Sequence, residues 1–301
     1  MRPEAPPPPP RGPLPVRAAV VRALDAPGPT LVLRVERLPV GALALRRELV
    51  EVCRAVPGIR KIALYGTGPA GLAYRFVQVL PAGRFDVRFD FRAGCGHSLL
   101  ACVVADGRPG PVTVRAVTTG DTVLCAPEPG GPPDTYTLHF LRPPTAPGTL
   151  PTGRPVDVLD GVPVSLVRYG NPYVFVDARH LPDEGLRARL ERLRAEAARL
   201  LGHPPHSALP KIAVVGAGPG GLAVRALTVG GWHPRLALTG AAALAAAGAL
   251  DGTVVPPVDG EVRTPGGTVT VSVAPDRVRV HHKRAELLRR LEVPWRVHAT
   301  A

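Results

Sequence analysis

The chain has 301 residues, enough for one large core or for two domains of about 150 residues each. Its composition is ordinary for a globular protein, with 45% hydrophobic and 20% charged residues, and no apolar run reaches the roughly 18 residues that cross a membrane, so we expect no membrane partner. The net charge of +13 comes from scattered arginines and only three lysines, which argues against nucleic-acid binding and favours attraction of a small anionic substrate.

The N-terminus and the cysteines indicate the compartment. Residues 1–15 form a proline-rich leader without an apolar core, which predicts a disordered tail rather than an export signal. The four cysteines, Cys53, Cys95, Cys102 and Cys125, form no CxxC pair and no Cys/His spacing typical of a metal site. These features predict a cytoplasmic protein with reduced thiols and no bound metal.

Short strands and a few helices are predicted along the chain. Runs rich in Val, Leu and Thr predict strands at 30–35, 86–91, 112–117, 136–141, 164–167, 173–177 and 268–273. Amphipathic spacing predicts helices with a charged face at 42–55, 186–201 and 283–291. Two further segments, 99–105 and 241–250, are apolar on every side, and a helix of that kind must be buried on every side.

An internal repeat divides the chain into halves. The segment RKIALYGTGPAGLAYRFVQV from Arg60 recurs as PKIAVVGAGPGGLAVRALTV from Pro210, at an offset of 150 residues. Each copy is followed by one of the two apolar segments. The repeat predicts two similar lobes that face each other, residues 16–147 and 148–301, each a β-shell around one buried helix. The C-terminal end can pack back on the first lobe.

Both copies of the repeat contain GxGxxG, which is the pattern of a dinucleotide-binding turn. That turn needs a helix after the glycines and an acidic residue about 20 positions further on. After Gly71 the sequence alternates like a strand, and after Gly221 glycines follow before three helical turns are complete. The pattern therefore favours tight turns in which glycine adopts a positive φ.

Cys95 is the candidate reactive thiol, because it lies in Ala-Gly-Cys-Gly-His-Ser at the predicted start of the first buried helix. Unpaired N–H groups at a helix N-terminus stabilise a thiolate, and they also hold a substrate carboxylate or a developing enolate. A thiolate in that position can remove a proton next to a carboxylate. The alternative role is that of a buried structural cysteine, which we expect for Cys102.

The polar residues near the helix starts each have two interpretations. Ser98 is expected to cap the first buried helix, while His97 can cap it or contact the ligand. The second half has Leu-Thr-Gly-Ala at 238–241, a helix start without a cysteine, where Thr239 can cap the helix or donate to a substrate oxygen. Asn171, in Tyr-Gly-Asn-Pro, is a turn residue by composition.

In this order the motifs resemble the PrpF-like family of the diaminopimelate-epimerase-like fold, whose members include aconitate-type isomerases and oxalomesaconate tautomerases. The segment LPTGRPVDVLDGVPVSLVRYGNPYVFVDA from Leu150 is similar to the family's LPTG…VS…GNP.VFV pattern. PKIAVV, TVGGWHPRLALTGAAALAAAGALDGTVV and HHKRAELLRRLEVP also resemble family counterparts, and AGCGHS stands where the family has Gly-Asn-Cys-Gly-Asn. The resemblance implies an α+β fold of two pseudo-symmetric lobes, each a mostly antiparallel, barrel-like shell around a central helix.

The resemblance also implies which residues form the site. Cys95 is the reactive thiol, and the substrate is held by Asn171 and by the two helix starts. The expected substrate-binding residues at these helix starts are Gly96, Ser98, Thr239, Gly240 and Ala241, and Arg75 of the glycine-rich segment is expected to bind substrate as well.

Two departures from the family pattern matter. The family has a catalytic lysine in a loop ahead of the cysteine segment, and here the glycine-rich GTGPAGLAYRF replaces that loop, with Tyr74 and Arg75 as the nearest candidates. A racemase with two thiols needs a cysteine in each half, and the second half supplies none. The second acid/base is then Tyr74, His97, water or the substrate itself.

These features together predict a cofactor-independent isomerase or tautomerase that acts on an unsaturated, carboxylated small molecule. The departures suggest a diverged member, an enzyme of secondary metabolism that isomerises or cyclises an intermediate. Two alternatives stay open: a flavin- or nicotinamide-dependent oxidoreductase that uses the GxGxxG loops, and a binding protein that has lost catalysis. The sequence does not give the substrate or the oligomeric state, for which a homodimer is one option.

Overall fold

A computed structural model describes residues 14–36, 38, 42–68, 70–81, 87–204, 207–218, 220–228 and 231–295 of the chain. The helices of this part are α1 (Ala42–Ala55), α2 (Gly96–Asp106), α3 (Leu186–Leu200) and α4 (Leu238–Gly248), with a short 3₁₀ helix at Ala178–His180. None of these helices combines the length and the apolar character that crossing a membrane requires.

The strands divide between two lobes. The first lobe contains β1 (Leu14–Ala23), β2 (Thr30–Arg34), β3 (Lys61–Gly68), β4 (Gly71–Pro81), β5 (Val87–Asp90), β6 (Val112–Ala116), β7 (Thr122–Pro127) and β8 (Thr135–Phe140). The second contains β9 (Asp157–Leu159), β10 (Val162–Tyr169), β11 (Asn171–Asp177), β12 (Lys211–Gly218), β13 (Gly221–Thr228), β14 (Gly231–Trp232), β15 (Gly260–Thr264), β16 (Gly267–Ala274) and β17 (Arg277–Trp295).

The first lobe is a closed barrel around α2. Its strands pair in the order β1, β2, β3, β4, β6, β7, β8 and β17, and β17 returns to β1. Two of these pairs are parallel, β2 with β3 and β4 with β6, and the others are antiparallel. Closure leaves the barrel without an open edge and encloses the space that α2 fills.

The second lobe repeats this topology around α4. β10, β11, β12, β13, β15, β16 and β17 pair in that order, and the parallel pairs, β11 with β12 and β13 with β15, occupy the same places. In both lobes one helix follows the second strand and another precedes the last three. The predicted α+β fold of two pseudo-symmetric lobes is confirmed, while the exact domain boundaries, 16–147 and 148–301, stay a prediction.

The apolar composition of α2 and α4 explains why they form the axes of the lobes. Every residue of α2 from Gly96 to Ala105 is buried, as is every residue of α4 from Leu238 to Ala247. An all-apolar helix is stable only where apolar side chains surround it, and the inner faces of the barrel strands supply them. α2 ends at Gly107, whose φ of 71° lets its N–H reach the carbonyl of Val103.

α1 and α3 have one apolar face each and cover the outside of the two shells. Leu45 and Leu49 of α1 belong to one apolar cluster with residues of β2 and β3, and Leu190 and Leu193 of α3 belong to another with residues of β11 and β12. Each helix therefore connects the two parallel strands that it covers. The predictions of helices at 42–55 and 186–201 are confirmed within one residue.

The helix predicted at 283–291 is wrong, because this segment is part of the long strand β17. β17 pairs with β1 from Ala285, opposite Ala23, to Trp295, opposite Leu14. The segment contains good helix formers at helical spacing, but pairing with β1 closes the barrel and outweighs this local preference. Residues 1–13 of the predicted tail lie outside the described residues, as does the first residue of the strand predicted at 86–91, and β1 begins at Leu14.

The GxGxxG segments are β-hairpin turns, so the hypothesis of nucleotide-binding loops is wrong. β3 turns into β4 with Gly68 paired to Gly71, and β12 turns into β13 with Gly218 paired to Gly221. A strand and not a helix follows the glycines in both lobes, so no helix N-terminus is available for pyrophosphate. Gly71 has a φ of 137°, and a Cβ atom there would lie 2.1 Å from the carbonyl oxygen of Thr113.

Candidate functional site

The N-termini of α2 and α4 meet between the two lobes, and close packing requires glycine in both first turns. A Cβ atom on Gly96 would lie 2.6 Å from the Leu238 side chain, which belongs to the first turn of α4. A Cβ atom on Gly240 would lie 2.6 Å from the hydroxyl of Tyr173. The positive ends of two helix dipoles therefore lie beside one shared space.

Asn171 joins the two helix starts. It begins β11 and is buried, with 2% of its surface exposed. Its amide oxygen accepts the N–H of Gly94 at 2.7 Å, and its amide nitrogen donates to the carbonyl of Gly94 at 2.8 Å. The same nitrogen lies 3.3 Å from the hydroxyl of Thr239, in the first turn of α4. A side chain of the second lobe thus fixes the residue before Cys95 in the first.

A cleft of about 550 Å³ opens at this junction. Both helix starts contribute to its wall, through Cys95, Gly96 and His97 on one side and residues 237–239 on the other. Three cationic side chains line it: Arg60, Lys61 and Lys211. Among the described residues, no aspartate or glutamate lines the cleft. Cations, helix N-termini and the missing carboxylates make it suited to an anion.

Cys95 is the N-cap residue of α2, with an extended backbone (φ −144°, ψ 107°). Its thiol is free and partly exposed, whereas the thiols of Cys102 and Cys125 are buried. Its side chain makes no capping hydrogen bond, and Gly96 and His97 of the first turn line the cleft together with it. The expected structural role of Cys102 agrees with its full burial in the core around α2.

Tyr74 holds the loop that carries Cys95. Its hydroxyl donates to the carbonyl of Cys95 at 2.9 Å, and its ring is fully buried. Burial, and then the nearby Cys95 and Cys102, raise the pKa of Tyr74 well above its usual value. Its phenol is therefore protonated at neutral pH and acts as a hydrogen-bond donor.

His97 and His233 bring one imidazole from each lobe to the cleft. Their rings stack with centroids 6.2 Å apart and an interplanar angle of 14°. Burial, and then the positive charge of Lys61, lower the pKa of His97 well below its usual value, and its buried Nε2 has no hydrogen-bond partner among the described residues. Burial lowers the pKa of His233 to about 4. Both rings are therefore neutral near pH 7.

Sequence reasoning missed two lysines of the cleft, Lys61 and Lys211. They are the first residues of β3 and β12, at matching places in the repeat. Lys61 is 8% exposed and donates to the carbonyl of Gly28 at 3.1 Å. The signal was present in the sequence, since two of only three lysines lie at an offset of 150 residues in RKIA and PKIA.

Some predicted site residues do not line the cleft. They are Tyr74, Arg75, Ser98, Gly240 and Ala241. The prediction that Ser98 caps α2 is wrong, because its hydroxyl lies 2.9 Å from that of Thr30 and Cys95 occupies the cap. A capping role for His97 or Thr239 is wrong as well, since no side chain caps α2 and the N-cap of α4 is Ala237.

The chain is similar to a protein family, to a group of bacterial relatives and to two solved structures. The model of the PrpF protein family matches residues 130–292. Proteins named "Putative isomerase YbhH", among them that of Escherichia coli K12, are 31% identical over 35% of this chain, and the match spans about a third (34%) of their own length.

Two solved structures share the fold. A crystal structure of methylitaconate-delta-isomerase matches with a TM-score of 0.62 and 22% identity, over 94% of this chain and 96% of that one. A phenazine biosynthesis protein of the PhzF family from Enterococcus faecalis matches with a TM-score of 0.52 and 15% identity, over 93% of this chain and 99% of that one. At these identities the likeness shows the fold.

Proposed function

The chain belongs to the PrpF protein family, and from that premise we propose that it is an isomerase that moves a proton in an unsaturated, carboxylated small molecule. The observation that carries the proposal is the position of Cys95, a free thiol at the N-terminus of α2, in a cationic cleft that the N-terminus of α4 faces. The names of the relatives, an isomerase and methylitaconate-delta-isomerase, agree with this class of reaction.

In the proposed reaction the Cys95 thiolate removes a proton from the carbon next to the substrate's unsaturated bond. The C–H bond breaks, an S–H bond forms, and the electron pair moves into an enolate-like system that ends on a carboxylate. The N–H groups of α2 and α4 and the ammonium of Lys61 stabilise this charge, because they are fixed in a site where no carboxylate of the described residues competes with them. Returning a proton to a different carbon completes the isomerisation.

The neighbouring residues have distinct parts in this proposal. Tyr74 positions Cys95 through its carbonyl, since a phenol with a strongly raised pKa is a poor proton donor to carbon. His97 is neutral and presents an unpartnered nitrogen, which suits a hydrogen bond to a substrate oxygen. Asn171, through its bonds to Gly94 and Thr239, fixes the positions of the two helix starts relative to each other.

Lys61 is the residue that we propose as the counterpart of the family's lysine. It lies ahead of the cysteine segment, as the family's lysine does, and it lines the cleft at the start of β3. We therefore assign Lys61 the return of the proton or the binding of the carboxylate. A place in secondary metabolism and action without a cofactor stay hypotheses that belong to this same proposal.

The proposal is tested by incubating the protein with a panel of unsaturated mono- and dicarboxylic acids and following the double bond by proton NMR. We expect migration of the double bond in at least one acid with the wild type. Cys95→Ser should lower the rate by about 10²–10⁴-fold. Cys53→Ser is the matched control, because Cys53 is a free and partly exposed thiol on α1, away from the cleft.

Two outcomes would contradict the proposal. Isomerisation by Cys95→Ser at the wild-type rate would remove the thiol from the chemistry. Tight binding of an acid with no turnover by the wild type would instead support a protein that binds without catalysis.

A further inference from the structure

His233 lies on the segment that leads from β14 to α4, and its ring is part of the wall of the cleft. The residue is 4% exposed. Its ring stacks on that of His97, two positions after Cys95, with the ring centroids 6.2 Å apart. The second lobe therefore places an imidazole beside the start of α2.

One hydrogen bond determines which nitrogen of the His233 ring carries a hydrogen. The backbone N–H of Arg235 lies 3.1 Å from Nδ1 of His233, and a backbone N–H can only donate. Nδ1 is therefore the acceptor and carries no hydrogen, which excludes the charged imidazolium. The pKa of about 4, lowered by burial, agrees with a neutral ring. A neutral imidazole with a bare Nδ1 carries its hydrogen on Nε2.

The segment that carries His233 is anchored in both lobes. The backbone N–H of His233 donates to the carbonyl of Ala226 in β13 at 2.8 Å. The guanidinium of Arg235 forms an ion pair with Asp25 of the first lobe, with Nη1 3.0 Å from the carboxylate. These contacts fix the backbone on both sides of the ring, so the Nε2–H group is a preorganised donor.

This donor has no acceptor within the protein. Among the described residues, the bond from Arg235 is the one hydrogen bond that the His233 ring makes. Nε2 of His97 is itself without a partner, so the two stacked rings do not bond to each other. No carboxylate of the described residues lines the cleft. An unpaired N–H donor in a half-enclosed site is satisfied when a ligand supplies an oxygen with a lone pair.

We propose that His233 is a specificity-determining residue of the cleft, whose Nε2–H donates a hydrogen bond to a carboxylate oxygen of the substrate. Because the ring is fixed as a donor, a ligand that places an N–H group there leaves two donors facing each other and binds poorly. The bond comes from the second lobe to an anion at the start of α2, so it joins the substrate to both lobes. This inference deepens the proposed function and rests on it for its use, but the hydrogen bond itself is measured without turnover.

The test measures the affinity of the full-length protein for succinate by isothermal titration calorimetry at pH 7.5. Succinate is a dicarboxylate without a double bond, so it binds without being isomerised. Two substitutions separate the two nitrogens of the ring. The amide nitrogen of glutamine reaches about as far as Nε2, so His233→Gln keeps a donor for the ligand. The amide oxygen of asparagine takes the place of Nδ1, so His233→Asn keeps the acceptor for Arg235 but has no group in the place of Nε2.

We expect His233→Gln to bind succinate within about threefold of the wild type, and His233→Asn to bind about 10–100-fold more weakly, the loss of one hydrogen bond to a charged group. A ring that only holds its own segment predicts the reverse order, because asparagine alone keeps the bond to Arg235. His180→Asn is the matched control, since His180 is exposed and does not line the cleft, and its affinity should equal that of the wild type.

A second measurement needs no variant and no ligand. Long-range proton–nitrogen NMR spectra of the wild type distinguish the two neutral forms of a histidine ring, and we expect the hydrogen of His233 on Nε2. A hydrogen on Nδ1 would overturn the inference, even if the His233 variants do not fold.

The inference also fails if the wild type does not bind succinate, if the two His233 variants lose the same affinity, or if asparagine binds more tightly than glutamine. The expected order of affinities, together with no isomerisation in the panel of acids, would support it. In that case the isomerase proposal fails while the carboxylate-binding role of His233 stands.

Discussion

The starts of α2 and α4 have the same backbone design but different chemistry. Both are N-termini without a side-chain cap, both need a glycine in the first turn, and both face the cleft. The N-cap residue is Cys95 in α2 and Ala237 in α4. The lysines, in contrast, are the same in the two lobes. Lys61 of the first lobe and Lys211 of the second both line the cleft.

This difference separates binding from chemistry. The symmetric features, two helix N-termini and two lysines, suit the binding of an anion with charge at both ends. The asymmetric feature is the single thiol, which in the proposed reaction would determine on which side of a substrate the proton is taken. The described residues offer no second thiol across the cleft, so the proposal requires a different kind of group as the partner of Cys95.

The same substitution at the equivalent hairpin glycines of the two lobes, Gly71 and Gly221, should change stability by different amounts. Gly71 and Gly221 have φ angles of 137° and 139°, but a Cβ atom on Gly71 would overlap the Thr113 carbonyl, while one on Gly221 meets nothing within 4 Å. Gly71→Ala should lower the free energy of unfolding by about 3–5 kcal/mol through strain and overlap. Gly221→Ala should lower it by about 1–2 kcal/mol through strain alone. Urea unfolding of both variants measures the difference, and equal losses would show that the overlap is relieved.

The link between the lobes is tested at Asn171. Asn171→Ala leaves the N–H and the carbonyl of Gly94 without their partners, and we expect a loss of about 2–4 kcal/mol in the free energy of unfolding. Thr239→Val is the comparison, because it removes the 3.3 Å contact with Asn171 and the hydrogen bond with Tyr173 but keeps both bonds to Gly94, and it should cost less stability. If both variants lose the same stability, the hydrogen bonds from Asn171 to Gly94 do not fix the cysteine loop.

His233, the buried histidine that the second lobe contributes to the cleft, should make the free energy of unfolding depend on pH. The pKa of His233 is about 4 in the folded protein and near 6.5 when unfolded, so the unfolded chain binds more protons between these values. Stability should therefore fall as the pH decreases from about 6.5 towards 4, and His233 should account for about 2 kcal/mol of the loss at pH 4.5. His233→Gln should flatten this part of the curve of unfolding free energy against pH. If the His233→Gln curve has the same slope as that of the wild type, a group other than His233 causes the pH dependence.

The sequence predicts much of the fold because its strongest signals are local or repeated. The segments that form α2 and α4 are apolar on every side, so each had to be buried inside a shell of strands. The repeat required one such shell in each half of the chain. The error at β17 has a long-range cause, since pairing with β1 joins the two ends of the chain and no local pattern reports it. The hairpin character of GxGxxG was readable, because alternation after Gly71 already opposed a helix.

The site was less predictable, because its members come from distant segments. Cys95 is marked by its glycine neighbours, but the role of Asn171 as a bridge depends on Gly94, 77 positions away. Lys211 was overlooked because a lysine at the start of a strand is usually exposed, and only the facing lobe makes it part of a cleft. The repeat could have identified it, since Lys61 and Lys211 occupy equivalent positions.

The central claim is that the thiol at the start of α2 transfers a proton to and from carbon. The most direct test incubates an unsaturated carboxylic acid that the protein binds with wild type, Cys95→Ser and Cys53→Ser in deuterated water, and follows deuterium at the allylic carbon by mass spectrometry. The account predicts uptake by the wild type and by Cys53→Ser, and a rate at least about 10²-fold lower with Cys95→Ser. Equal uptake with Cys95→Ser and with the wild type would contradict it.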